Sequence, residues 1–151
     1  TADLDVICRF KYDDILLDVM GTKAVGWAPA NPWFHSGFDQ RETIEIDGYQ
    51  VQIMPLPYFL ASKFAAHNDR GGDDPRMSKD FEDITYILNN RTDWHEIVQK
   101  SEDEVRNYLI SQFKSILNSS ALKEAILGNL FWEFRQERFD AIIVKIKELL
   151  G

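Results

Sequence analysis

At 151 residues, 44% of them hydrophobic and 13% aromatic, the chain can bury a core and has room for one ordinary domain with a helical extension. A formal net charge of -8 argues against a protein that coats nucleic acid through a broadly basic face, but leaves room for a site where metal ions supply the positive charge. The single Cys8 excludes an internal disulfide and a multi-cysteine zinc site, and no apolar run approaches the ~20 residues of a membrane span. A reducing, cytoplasmic setting is the resulting expectation.

Residues 3–8 read as a strand, and its period of two puts Asp3 and Asp5 on the same side. Cys8 ends this apolar run and fits a buried structural thiol better than a nucleophile. Residues 14–20, "DILLDVM", read as a second strand. Ile15, Leu17 and Val19 share one face; Leu16, Asp18 and Met20 share the other. An aspartate among such neighbours costs several kcal/mol if buried unpaired, so Asp18 either sits at an exposed strand end or serves a purpose. Residues 21–42 read as a loop punctuated by Gly21, Gly26, Pro29, Pro32 and Gly37 and packed by Trp27, Trp33, Phe34 and Phe38. Stacking of a base on Trp27, Trp33 or Phe34 is the less favoured alternative to packing. Residues 43–54 read as a hairpin turning at Asp47-Gly48.

From Pro57 the period becomes helical, stopping at Gly71-Gly72. After the turn "DDPRM", Ser78 caps a helix whose stripe is Phe81, Ile84, Ile87 and Leu88. Beyond Thr92 the chain reads as helix throughout, with Val105, Leu109, Phe113, Ile116 and Leu117 on one stripe. A final helix over about 130–150 buries Phe139, Ile142, Ile143, Ile146 and Leu149. The expected fold is α/β in the α+β sense, a small mixed sheet flanked by helices. Residues 1–91 form its core and residues 92–151 a C-terminal helical region.

Asp3, Asp5 and Asp18 on two adjacent strands are the arrangement that holds two Mg²⁺ ions for a phosphoryl displacement, with solvated strand ends as the plain alternative. Lys63 is a surface lysine with a buried stem, a phosphate contact or the ion-pair partner of Asp80. Arg70 and Arg76 flank the glycine turn and suit either phosphate or solvent. Asp80 and Asp83 complement the start of their helix, or act in the site. His35, His67 and His95 show no metal-ligand spacing.

Taken together, "TADLDV", "ILLDVMG" and "PYFLASKFAAHNDRGGDDPRMSKDFEDITYIL" resemble the nucleotidyltransferase superfamily, in its minimal, AbiEii-like toxin branch. The resemblance covers roughly residues 1–90. It implies a nucleotidyltransferase-type sheet, two Mg²⁺ ions on Asp3, Asp5 and Asp18, and an NTP as substrate. Asp18 would also help activate the acceptor, Lys63 and Arg70 would contact the nucleotide, and Asp80 or Asp83 would position Lys63 or the acceptor. The implied reaction moves an NMP to a hydroxyl on RNA, protein or a small molecule, in a toxin–antitoxin or phage-defence setting. The family places a glycine turn upstream of its first acids and a helix before its third. Only twelve residues separate Asp5 from Asp18, so the expectation is that an N-terminal segment, and with it an internal one, is absent from this chain.

Two other classes remain open on sequence grounds. One is a catalytically incomplete fold acting as a binding or antitoxin-like module, with a partner protein or a second copy held by the C-terminal helices. The other is a metal-dependent nuclease, in which Lys23, five residues after Asp18, would stand near the last acid.

Overall fold

The computed structural model describes residues 9–24 and 29–151. The strand expected over residues 3–8, and with it Asp3, Asp5 and Cys8, lies outside the described residues, as does Trp27. The second expected strand is present as β2 (Ile15–Asp18), and its partner is β1 (Arg9–Tyr12), which the sequence reading did not anticipate. The two run antiparallel, with Arg9 opposite Asp18 and Tyr12 opposite Ile15. Asp13 takes the left-handed conformation that a tight turn requires, with φ 51°.

The hairpin read from Asp47-Gly48 forms as β3 (Glu42–Ile46) and β4 (Tyr49–Ile53). Asp47 and Gly48 both have positive φ, 51° and 83°, as a type I′ turn demands. Each strand therefore pairs with its sequence neighbour. Among the described residues this gives two separate antiparallel two-stranded sheets rather than one mixed sheet. Their apolar side chains face solvent: Tyr12 is 69% exposed, Leu16 63% and Tyr49 75%.

The region read as loop holds a short helix, α1 (Phe34–Asp39). Gly37 is close-packed there: a Cβ would stand 2.9 Å from the Met54 side chain. Just before it, Asn31 donates to the Ser62 carbonyl at 2.8 Å, and Trp33 packs on Tyr108 with ring centroids 4.9 Å apart. Trp33 is thus a core residue and has no face free for a base.

The helices follow their sequence signals. α2 (Leu56–Arg70) carries Pro57 in its first turn, where the missing N–H costs nothing. A single 3-10 turn, Pro75–Met77, leads to α3 (Lys79–Asn90). The Ser78 hydroxyl accepts the Phe81 N–H at 3.2 Å, the expected cap. Then come α4 (Trp94–Gln99), α5 (Asp103–Asn118), α6 (Ser120–Asn129) and α7 (Arg135–Leu150). The last helix begins at Arg135 rather than near 130. Residues 131–134 form a turn instead, closed by Phe134 at φ 54°.

One cluster of buried side chains runs from Trp33 to Leu149. At its centre Trp94 lies 5.0 Å from Phe113, and Phe113 meets Phe64 edge-on at 5.6 Å. Burying each such side chain is worth about 1.5–3 kcal/mol, so helix packing dominates the stability of the fold. The architecture is α+β. Among the described residues no helix is long and apolar enough to cross a membrane.

Candidate functional site

Lys63, His67 and Arg70 recur at helical spacing and so share one face of α2. The glycine turn and the 3-10 turn bring the chain back, placing Ser78, Asp80 and Asp83 of the α3 start against that face. Asp80 is the centre. Its Oδ2 accepts from Arg70 Nε at 3.0 Å, and its Oδ1 accepts from Arg70 Nη2 at 3.2 Å and Lys63 Nζ at 3.3 Å. Lys63 Nζ also lies 2.6 Å from Asp83 Oδ2 and 5.6 Å from the Phe59 ring centre. The group as a whole is charge-neutral, with two cations against two carboxylates.

Burial pushes the Asp80 carboxyl up, but the Arg70 hydrogen bond and the charges of Arg70 and Lys63 outweigh it and hold Asp80 below the usual carboxylate range. Asp80 is only 6% exposed, whereas the Arg70 side chain is 65% exposed and that of Lys63 24%. Arg70 Nη1 makes no hydrogen bond among the described residues. The acid is therefore a buried anchor, and the two cations reach the surface with donors to spare for an anion.

Behind this pair, His67 Nδ1 shares a 2.9 Å hydrogen bond with the Ser78 hydroxyl, and its ring lies 5.0 Å from Phe81. Burial lowers the His67 pKa, against the raising effect of Asp80, so the ring is neutral at pH 7. Gly71 makes room for it: a Cβ there would stand 2.4 Å from His67 Nδ1. His67 is the member of this cluster that sequence reasoning missed. Its i+4 spacing from Lys63 was the available signal.

The structure thus brings together Lys63, Arg70, Asp80 and Asp83, including the expected Lys63–Asp80 ion pair. Asp18 stands elsewhere, at the end of β2. Arg9 donates to both its oxygens, Nε to Oδ1 at 2.8 Å and Nη2 to Oδ2 at 3.0 Å. That hydrogen bond lowers the Asp18 pKa. Among the described residues the cross-strand neighbour of Asp18 is a guanidinium. Among the described residues no group of three or more His, Cys, Asp or Glu could hold a metal ion. With both Asp18 oxygens on Arg9, the described donors do not by themselves fit two Mg²⁺ ions. Asp3 and Asp5 lie outside the described residues.

Lys23 lies beyond the end of β2 and so does not share a strand with Asp18. Arg76 turns back onto Asp74, bidentate at 2.9 and 2.9 Å, as a solvated loop pair. His35 pairs with Asp39 and His95 with Glu148, in different parts of the molecule from His67.

In comparison with known proteins, no family model, no curated protein and no solved structure matches the chain.

Proposed function

We propose that this protein is a nucleotidyltransferase-fold enzyme that moves an NMP from an NTP to a hydroxyl acceptor with Mg²⁺, in a cytoplasmic toxin–antitoxin or phage-defence setting. One observation carries the reading. Lys63 is held between Asp80 and Asp83 across the α2–α3 turn, and the resemblance implies a lysine followed by an acidic pair in that order. In this reading Asp80 is a positioning residue: it fixes Lys63 and Arg70 from below. Lys63 and the exposed edge of Arg70 then meet the phosphate charge of the nucleotide. Asp83 competes for Lys63 and gives it up when phosphate binds. The resemblance assigns the metal ions to Asp3, Asp5 and Asp18, where they would polarise the transferring phosphoryl group. The acceptor is a hydroxyl of RNA, protein or a small molecule.

The test is incubation of the full chain with labelled NTPs, Mg²⁺ and candidate acceptors, alongside calorimetric NTP titration. Label transfer by the wild type, lost in Asp5→Ala and much reduced in Lys63→Met, is the expected result. NTP and Mg²⁺ titrations unchanged in Asp5→Ala would sink the metal assignment.

A second reading is favoured by the Arg9–Asp18 pair, which occupies the acid that the mechanism needs. In it the fold is kept without the reaction, as a binding or antitoxin-like module whose C-terminal helices hold a partner protein or a second copy. Absence of label transfer with every acceptor, together with a stable complex on size exclusion, would support this module and reject the enzyme.

A further inference from the structure

The far side of α3 borders a second feature. Between α3, the end of α6 and the start of α7 lies an open cleft of about 560 Å³, within the size range of small-molecule sites. Its lining combines two kinds of group. Tyr86, Phe131 and Trp132 offer aromatic faces, and all three are strongly exposed (66%, 61% and 68%). Arg135 makes no hydrogen bond or ion pair among the described residues. Arg138 is braced on the Asn89 side-chain oxygen at 3.3 Å and the Glu133 carbonyl at 3.2 Å.

Each group is costly or idle as it stands. Exposed tryptophan beside exposed phenylalanine leaves two apolar faces in water, their ring centres 5.9 Å apart. Two guanidinium groups gather here in a chain of net charge -8, and the one acid on the rim, Glu82, is already neutralised by Lys79 at 3.0 Å. The Phe134 backbone, held left-handed, turns the chain so that the aromatics and Arg135 meet on one rim.

We propose that this cleft binds a nucleoside monophosphate unit. The ring stacks on Trp132, flanked by Phe131 and Tyr86. Arg135 binds the phosphate. Such a unit comes either as a free nucleotide or as one residue of a single strand. The site is separate from the Lys63–Asp80 group and does not depend on any transfer reaction.

Calorimetric titration of the full chain with AMP, adenosine and single-stranded tetra-adenylate tests it. Wild type is expected to bind AMP saturably, and Trp132→Ala to weaken AMP and adenosine alike by roughly tenfold. Arg135→Ala is expected to weaken AMP by a similar factor while leaving adenosine unchanged. Both residues are exposed, so the variants fold, and circular dichroism verifies it. Tetra-adenylate binding more than tenfold tighter than AMP identifies a strand as the source; equal affinity identifies the free nucleotide. Absence of binding by all three ligands overturns the proposal. So does AMP binding that is lost in Lys63→Met but intact in both cleft variants.

Discussion

Arg70, in the last turn of α2, grips both carboxylate oxygens of Asp80, in the first turn of α3, at 3.0 and 3.2 Å. The pair staples two successive helices across a turn of glycines and a proline. Its two halves are unequal, because Asp80 is buried and Arg70 is mostly solvated. Asp80→Asn leaves Arg70 in solvent and Lys63 on Asp83, and is expected to cost about 1 kcal/mol for the lost hydrogen bonds. Arg70→Ala leaves the buried Asp80 carboxylate with only its Lys63 contact at 3.3 Å and is expected to cost about 2–3 kcal/mol. Urea midpoints of the two variants check the asymmetry.

The acid side of the stability profile carries two groups of the same sign. The His67 pKa is depressed in the fold, so below its ordinary 6.5 the unfolded chain takes up a proton that the folded chain refuses. Stability therefore falls as pH drops from about 6.5 through the folded value. Asp80 is depressed below 3.8, and its contribution is lost as pH falls below that value through the folded one. Urea denaturation from neutral to strongly acid pH is expected to show both declines. His67→Gln removes the upper one and leaves the lower.

Two neighbouring glycines separate crowding from backbone strain. Gly71 has an ordinary φ of -69°, but a Cβ there meets the His67 ring and carbonyl at 2.4 Å. Gly72 has φ +70° and open space around it. Gly72→Ala is expected to cost about 1 kcal/mol from conformation alone. Gly71→Ala costs about 1–3 kcal/mol and, unlike Gly72→Ala, shifts the His67 ring resonances in NMR.

At the other end of α2, the Tyr58 hydroxyl donates to Glu102 Oε2 at 2.6 Å. Burial, then the Glu102 hydrogen bond and charge, push the phenol up to about 12. An unfolded tyrosine gives up its proton near 10, so this contribution fades as pH rises from 10 towards 12. Tyr58→Phe is expected to cost about 1.5–2 kcal/mol at neutral pH and to lack that alkaline decline. Tyrosinate absorbance in the native protein checks the late titration.

What could be read from sequence was local. Pro57, Ser78 and Asp47-Gly48 each act within a few residues, and each sits where its chemistry requires. The meeting of Lys63 with Asp80 was also legible, because a short turn between two periodic helices leaves few alternatives. The Arg9–Asp18 pair was not: it depends on a hairpin register set by Asp13-Asp14, a weak turn signal beside Asp47-Gly48. α1 was hidden by its own glycine and flanking prolines. The aromatic cleft draws on residues from 82 to 138, and Phe131 and Trp132 sit where the sequence reads as the start of a helix. A left-handed phenylalanine leaves no pattern in composition or period.

The two hairpins have strands of four and five residues, and their apolar side chains face water. Hairpins of that length are marginal in isolation, while the helices share a buried aromatic centre. Opening should therefore come in two tiers. Amide protons of β1 to β4 exchange with solvent through local excursions costing little free energy. Those of Leu60, Phe81 and Phe113 wait for the whole helical body to unfold. In exchange experiments the described residues then behave as a slow helical unit carrying two fast ribbons, each able to rearrange without disturbing the Lys63–Asp80 pair.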